Sequence, residues 1–302
     1  MPSDFASVSV VIPTKDRREL LARFLPTYLK QPEVAEVIVV VDGSVDGTLE
    51  FLAQLAAEEP RVRVIDNGVN RGTPFTKNRG IEAAKGELIF IGEDDLEVTD
   101  GFFGKLIEHK RALGVDVICG RNVWRYDGEA AGQALDRSAR IKGSYVNHRT
   151  IEINTGMPLP QDSQQKLLAA PMLADAHVFR KVGFDERYKV NFWREETDFQ
   201  VSAQELGYKL GTCTHAVCFN YMTPNDRSGS HAAAGWRRTR WVIINNWRFI
   251  RKHEAFISAH FDIGSPYSYI TRFAVRRFVT ELVVPMLVRT KRGLRARRFA
   301  ST

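Results

Sequence analysis

Ser7-Val8-Ser9-Val10-Val11-Ile12, closed by Pro13-Thr14-Lys15-Asp16-Arg17, opens the pattern that decides the fold. A short β-branched run ended by proline reads as a buried strand that delivers polar side chains to its carboxyl end. The pattern recurs. Val37-Ile38-Val39-Val40-Val41 is closed by Asp42-Gly43-Ser44, Val62-Arg63-Val64-Ile65 is a third run, and Glu87-Leu88-Ile89-Phe90-Ile91 ends in Gly92-Glu93-Asp94-Asp95. Leu20, Leu21, Phe24, Leu25, Tyr28 and Leu29 fall at helical spacing between the first two runs. A second helix, capped by Thr48, is expected to run to Ala57, and a third to span residues 74–84. Continuous apolar strands alternating with helices predict an α/β fold over the first 120 residues, doubly wound, with a mostly parallel sheet covered on both faces. Ligands of such sheets sit beyond the carboxyl ends of the strands, where the three polar clusters fall.

Beyond residue 120 the signal thins. Residues 121–170 are polar and weakly periodic and are expected to hold a mobile loop. Order resumes over 178–183 and 185–206, the latter holding a helix with apolar Phe199, Val201 and Leu206, and residues 210–221 read as a strand. Residues 237–260 read as a helix rich in Trp and Arg, and 269–289 as another, interrupted by Pro285. No internal repeat is evident.

Composition sets the boundaries of function. The 302 residues carry 43 Lys+Arg against 36 Asp+Glu, are 44% hydrophobic, and include 22 Gly and 12 Pro, which excludes collagen, low-complexity disorder and a disulfide scaffold. The net charge of +7 is unevenly spread. Residues 236–302 hold 15 Lys+Arg against 3 Asp+Glu, leaving 28 against 33 in residues 1–235. A mildly acidic body with a basic C-terminal part calls for a polyanionic partner. Cys119, Cys213 and Cys218 are odd in number and lack zinc spacing, so reduced thiols in a cytosol are expected. The opening residues have no basic start and carry Asp4, so no secretory leader is expected. No uncharged apolar run reaches the roughly eighteen residues a membrane span needs.

Three adjacent carboxylates at a strand end repel one another unless a cation or protons offset the charge. Glu93-Asp94-Asp95 therefore points to a hard divalent ion, Mg²⁺ or Mn²⁺, completed by substrate phosphates. The bland alternative is a helix N-terminus, which favours acidic residues through the macrodipole. For Arg17 and Lys77 the bland reading is solvated surface charge.

These residues resemble family 2 inverting glycosyltransferases with the GT-A fold. The resemblance rests on Val10-Val11-Ile12-Pro13-Thr14 with Asp16-Arg17, Val40-Val41-Asp42-Gly43-Ser44 with Asp46-Gly47-Thr48, Asn70-Arg71-Gly72, Lys77-Asn78-Arg79-Gly80, Ala84-Lys85-Gly86-Glu87 and Glu93-Asp94-Asp95, in order. Further on, Gly183-Phe184-Asp185-Glu186-Arg187, Arg194-Glu195-Glu196-Thr197-Asp198-Phe199 and Leu206-Gly207-Tyr208 are similar to the family's acceptor-side motif. Together they cover roughly residues 7–222.

The resemblance implies a glycosyltransferase domain over residues 1–230. Its nucleotide-sugar half would be 1–120 and its acceptor half 121–230, with a basic helical extension over 231–302. Pro13, Thr14, Arg17, Asp42, Lys77, Glu93 and Asp94 would bind the donor, a UDP- or dTDP-linked sugar. Lys77 stands where the family usually has Arg, and Glu93 where an Asp is commoner. Asp95 would hold the metal, with Asn220 or His215 as the further ligand; His231 could instead reach the diphosphate. Glu196 is the expected base and Glu195 the runner-up, while Asp198 is expected to favour the helix start. The acceptor would be a hydroxyl of a glycan or lipid-linked intermediate.

In the C-terminal part, Trp236, Trp241 and Trp247 interleave with Arg237, Arg238 and Arg240, and Arg289, Lys291, Arg292, Arg295, Arg297 and Arg298 follow. One reading is an interfacial helix on an anionic membrane, placing a cytoplasmic enzyme at the inner face; the other is helices packed on the body. Nucleic acid is not the expected partner, and the oligomeric state is open. The alternatives are a soluble transferase acting on a small natural product and a non-enzymatic, basic nucleic-acid-binding protein. A sugar nucleotidyltransferase would carry a Gly-rich phosphate loop near residue 13, and a dinucleotide oxidoreductase a G-x-G-x-x-G after the first strand. Neither is present.

Overall fold

The computed structural model describes residues 6–190, 192–222 and 235–283. β1 (Val8–Thr14), α1 (Arg18–Leu29), β2 (Val34–Val41), α2 (Thr48–Glu58), β3 (Val62–Asp66), α3 (Thr73–Ala83) and β4 (Leu88–Ile91) alternate as the apolar pattern requires. Next come β5 (Leu96–Val98), α4 (Phe102–Leu113), β6 (Val117–Tyr126), α5 (Ala131–Ser138), the hairpin β7 (Val146–Asn147) and β8 (Glu152–Ile153), and β9 (Ser163–Gln164). β10 (Met172–Asp175), α6 (Ala176–Val182), α7 (Glu195–Glu205) and β11 (Leu210–Met222) complete the body. α8 (Gly235–Lys252), α9 (Glu254–His260) and α10 (Pro266–Phe278) follow, and α10 runs into a π turn over Val279–Val283.

The main sheet has nine strands in the order β3-β2-β1-β4-β10-β6-β11-β5, with β9 on β11. β3, β2, β1 and β4 run parallel. β10 enters antiparallel to both β4 and β6, and β6 and β11 are parallel to each other. Side-chain alternation splits the core in two, because successive residues of a strand face opposite sides. Val8, Val10, Ile12, Val37, Val39 and Val41 meet Leu21, Leu25, Leu52 and Phe102 of α1, α2 and α4. Val11, Ile38 and Val40 meet Ile81, Phe179 and Phe199 of α3, α6 and α7. The sheet is thus wound on both faces.

The register gathers the polar clusters. Thr14 pairs with Val41 and Val11 with Ile91, so the chain leaves β1, β2 and β4 at one edge. β5 then doubles back onto β11, with Leu96 opposite Asn220, and the Tyr221 amide donates to the Asp95 carbonyl at 2.9 Å.

Several local expectations change. α2 is not capped by the Thr48 side chain; Asp46 accepts the Thr48 amide at 3.1 Å, and Gly47, with φ +82°, turns the chain into the helix. Residues 121–170, which carried no readable element, hold the end of β6, α5, the β7–β8 hairpin and β9. Two-residue strands and an eight-residue helix carry too little periodicity to read. Leu206 is exposed rather than buried. The helix expected over 237–260 breaks at His253, whose ring sits between Glu205 and Asp198 at 2.9 Å from each.

The C-terminal helices share a core with the body. Val242, Phe249, Ile250, Ile257, Tyr269, Ile270 and Phe273 pack with Tyr145, Ile151, Leu167, Tyr188 and Val201. The boundary near residue 230, His231, Pro285 and the basic run 289–298 lie outside the described residues. Among the described residues no helix is long and apolar enough to cross a membrane.

Candidate active site

A cleft of about 1120 Å³ opens at the carboxyl edge of β1, β2 and β4. One wall is Pro13, Thr14, Lys15 and Arg17 with Asp42 and the loop 70–73; the floor is Gly92 to Asp95 with Asn220. The opposite wall is Val190, Phe192 to Thr197 and the strip 151–155, and Arg237 of α8 reaches the rim.

Asp42 is buried and accepts three hydrogen bonds, from Asn67 Nδ2 at 2.9 Å and from the amides of Arg71 at 2.8 Å and Gly72 at 2.9 Å. It fixes the 70–72 loop against the end of β2. Gly72 has φ +94°, and a Cβ there would lie 2.9 Å from the Phe192 ring, so only glycine lets the two walls meet.

The acidic floor divides its work. Asp94 accepts from Thr14 Oγ1 at 2.8 Å and from Arg17 Nη1 at 2.7 Å, and the same guanidinium nitrogen lies 2.7 Å from Asp95 Oδ2. Burial raises the Asp94 carboxyl to about 6 while Arg17 pulls it down and Asp95 pushes it up. Burial opposes the charge on Arg17, yet Asp94 and Asp95 raise its pKa above the usual range. Glu93 is held well above the carboxylate range, first by burial and then by Asp95 and Glu196. Asn220 Nδ2 donates to Glu93 and lies 3.5 Å from Asp95 Oδ1.

Across the cleft, the buried Lys77 Nζ lies 2.7 Å from Glu195 Oε1 and 2.8 Å from Glu196 Oε1, and 4.8 Å from the centroid of the Phe184 ring. Burial would lower the Lys77 pKa, but the two carboxylates raise it. Burial pushes Glu195 up to about 7, against the pull of Lys77, with Glu196 adding to the rise. Glu195 Oε2 is buried without a hydrogen-bond partner, whereas the Glu196 side chain is 32% exposed and faces the cleft.

The cleft thus brings together Pro13, Thr14, Arg17, Asp42, Lys77, Glu93, Asp94, Asp95, Glu195, Glu196 and Asn220. It does not include His215, which is exposed on β11 and stacked on His109 at 4.9 Å. Asp198 sits behind the wall: Tyr188 Oη and His253 Nε2 lie 2.9 Å from it and Lys252 Nζ 2.7 Å, so it ties α7 to α8 and α9.

Sequence reasoning missed Arg194, which precedes Glu195 with φ +76°. Its buried guanidinium donates to Asn246 Oδ1 at 3.0 Å, to the carbonyls of Ile151 and Thr150, and to Tyr269 Oη at 3.2 Å. It binds the 151–155 strip, α8 and α10 to the first turn of α7. Ile151, Val190 and Phe192, on the same wall, also have positive φ. Such backbone persists where surrounding contacts hold it and clusters at functional sites. No local signal marked the 151–155 strip.

The glycosyl transferase family 2 model matches residues 9–166, and the chain belongs to that family. Glycosyltransferase GlyG of Streptococcus pneumoniae serotype 4 is 33% identical over 40% of this chain and 40% of its own length. The uncharacterized glycosyltransferase YaiP of Escherichia coli K12 is 24% identical over 90% of this chain and 65% of its own. A Campylobacter jejuni protein, GalNAc(5)-diNAcBac-PP-undecaprenol beta-1,3-glucosyltransferase, is 26% identical over 44% of this chain and 45% of its own. The chain spans between 40% and 65% of the length of these relatives. In fold, S. aureus TarS residues 1–349 in complex with UDP-GlcNAc superimposes with TM-score 0.60 at 15% identity, over 91% of this chain and 73% of that one. GalNAc-T7 with UDP, GalNAc and Mn²⁺ gives 0.62 at 13%, over 94% and 58%. These likenesses establish a GT-A fold.

Proposed function

We propose that the protein is a metal-dependent, inverting glycosyltransferase. It moves a sugar from a UDP- or dTDP-linked donor to a hydroxyl of a glycan or lipid-linked acceptor. One observation carries the reading: a single cleft holds an acidic floor at the strand ends and, facing it, a carboxylate pair on a buried lysine. TarS, solved with UDP-GlcNAc, and the undecaprenol-linked substrate in the Campylobacter protein's name support the donor and acceptor classes.

The residues fit a hard divalent ion. Glu93 and Asp95 offer carboxylate oxygens at the floor, and turning the Asn220 amide by half presents a carbonyl oxygen between them. Burial is the main cause of the raised Glu93 and Asp94 carboxyls, and Asp95 beside them adds to both. Bound there, Mg²⁺ or Mn²⁺ stabilises negative charge on the departing nucleotide diphosphate. Pro13, Thr14 and the Asp42-supported 70–72 loop form the nucleotide wall, while Arg17 orients Asp94 and Asp95. Glu196, the exposed member of its pair, takes the proton of the acceptor hydroxyl. As that oxygen bonds to the anomeric carbon, the bond from this carbon to the diphosphate breaks on the opposite face. Lys77 holds Glu196 in place and offers its charge to the diphosphate; Glu195, buried, positions Lys77.

Exposed Trp236, Trp247, Tyr267 and Phe278 stand with exposed Arg240, Arg251 and Arg272 on α8 and α10. This supports a membrane-facing surface of anionic preference, presenting the cleft to a lipid-linked acceptor at the inner face. Salt-sensitive flotation with anionic liposomes is expected; its absence removes the membrane from the reading.

The test of the chemistry is UDP-sugar and UDP binding by calorimetry, with and without Mn²⁺, in three proteins. The wild type binds more tightly with Mn²⁺, and Asp95→Ala loses that dependence. Glu196→Gln binds donor normally and transfers at least about a hundredfold more slowly, the scale of a general base. Manganese-independent binding in the wild type overturns the metal assignment, and normal turnover in Glu196→Gln overturns the base.

A further inference from the structure

β11 carries a wide bulge away from the cleft. Thr212 pairs with Cys119 and Val217 with Arg121, so residues 213–216 stand against Gly120 alone. Gly120 makes this possible, since a Cβ there would lie 2.5 Å from the Ala216 carbonyl oxygen. The bulge turns Cys213 toward His109 of α4 and Asp162, which precedes β9. His109 Nδ1 or Nε2, an Asp162 carboxylate oxygen and Cys213 Sγ all lie within 4.8 Å of one another. None of the three lines the cleft.

The capping role of Asp162 does not account for this cluster. Its Oδ1 already accepts from the Thr214 amide at 2.7 Å and from Thr214 Oγ1 at 2.8 Å, which satisfies the bulge. The second oxygen is turned to His109 Nδ1. The His215 ring stacks on His109 and fixes its plane. Burial pushes the Cys213 thiol above its usual range, and the backbone amides of His215 and Ala216, which lie toward the sulfur, offset this only in part.

We propose that His109, Asp162 and Cys213 form a second metal site, separate from the acidic cleft, that takes a borderline-soft ion of the Zn²⁺ class. The donor set decides the class. Thiolate and imidazole disfavour Mg²⁺ and suit Zn²⁺, which also accepts carboxylate. Tetrahedral zinc places its ligand atoms about 3.3–3.8 Å apart, so the hydrogen-bonded His109–Asp162 pair parts and the Cys213 sulfur closes in as the ion enters. The ion replaces the proton-mediated His109–Asp162 contact, leaves its fourth position to water, and staples α4, the segment before β9 and β11. Its role is to hold the acceptor-side wall on the sheet.

The experiment is titration of the metal-stripped full-length protein with Co²⁺ alone, read by absorption, followed by Zn²⁺. One equivalent of Co²⁺ gives a thiolate-to-cobalt charge-transfer band with intense tetrahedral d–d bands, and Zn²⁺ abolishes both. Cys213→Ser eliminates the band, His109→Ala weakens Co²⁺ binding by at least roughly tenfold, and Asp95→Ala leaves the band intact. The absence of a thiolate band in the wild type, or its survival in Cys213→Ser, overturns the site. The wild-type titration needs no variant to fold and no sugar donor, so it stands apart from the test of glycosyl transfer.

Discussion

Replacing Lys77 by methionine keeps most of the side-chain volume and removes the cation that touches both Glu195 and Glu196. Glu195 is the member that suffers, because its carboxylate is buried and one oxygen has no other partner. In the wild type its carboxyl is raised from 4.5 to about 7. An acid raised on folding contributes most favourably below its unfolded pKa. That contribution is lost as pH rises from about 4.5 through about 7, a cost of roughly 3 kcal/mol that Lys77 keeps from growing further. Without Lys77 the carboxyl must keep its proton at higher pH, and each further pH unit above 7 adds about 1.4 kcal/mol. At pH 5 both proteins hold a protonated Glu195, and the variant loses the Lys77 hydrogen bonds to Glu195 and Glu196 while shedding a buried ammonium. Lys77→Met should therefore be destabilised about 1–2 kcal/mol more at pH 8 than at pH 5. Urea unfolding followed by tryptophan fluorescence at the two pH values measures this, with unchanged m-values. An equal loss at both, or a larger one at pH 5, refutes the view of Lys77 as the counter-ion of a buried carboxylate.

Two further outcomes test the framework of the cleft. Arg194→Met strands Asn246 Oδ1 and the Ile151 carbonyl, while Tyr269 Oη still donates to the Thr150 carbonyl, and should cost about 2–4 kcal/mol. Limited proteolysis should then cut near residues 150–155 before the sheet; unchanged melting temperature and cleavage would contradict its bracing role. Gly80→Ala puts a methyl 2.2 Å from Val11 Cγ1, where α3 crosses β1, and should cost about 1–3 kcal/mol. Adding Val11→Ala makes room for the methyl, so the double variant should lose less than the sum of the two single losses. Additive losses would mean the contact is not the cause.

The first 120 residues were legible because their signals are local. Valine and isoleucine runs ending at Pro13, Asp42 and Gly92 fix strand type and strand end without knowledge of neighbours. A parallel sheet then has to bring those ends to one edge. Helix bounds were legible to within a few residues, though not the cap of α2, where Gly47 rather than the better-capping Asp46 or Thr48 takes the position and only backbone geometry selects it. Residues 121–175 were not legible, whereas α6, α7 and β11 beyond them were. β10, with four residues, and β9, with two, are strands only because partners across the chain complete their hydrogen bonds, and the two-residue β7 and β8 complete only each other's.

The same division holds in the site. Sequence alone determined the α/β winding and placed Thr14, Arg17, Asp42 and Glu93 to Asp95 at strand ends, because alternation and strand termination are properties of contiguous residues. Only the tertiary structure decided that Lys77 faces Glu195 across 118 residues, that Asn220 reaches Glu93 across 127, and that His215 turns away from the cleft toward His109. It also decided that Arg194 is caged by the C-terminal helices, so that part of the basic segment became core rather than surface. A buried charge must find a partner, but burial does not specify which one. Packing of distant elements makes that choice, and no local pattern records it.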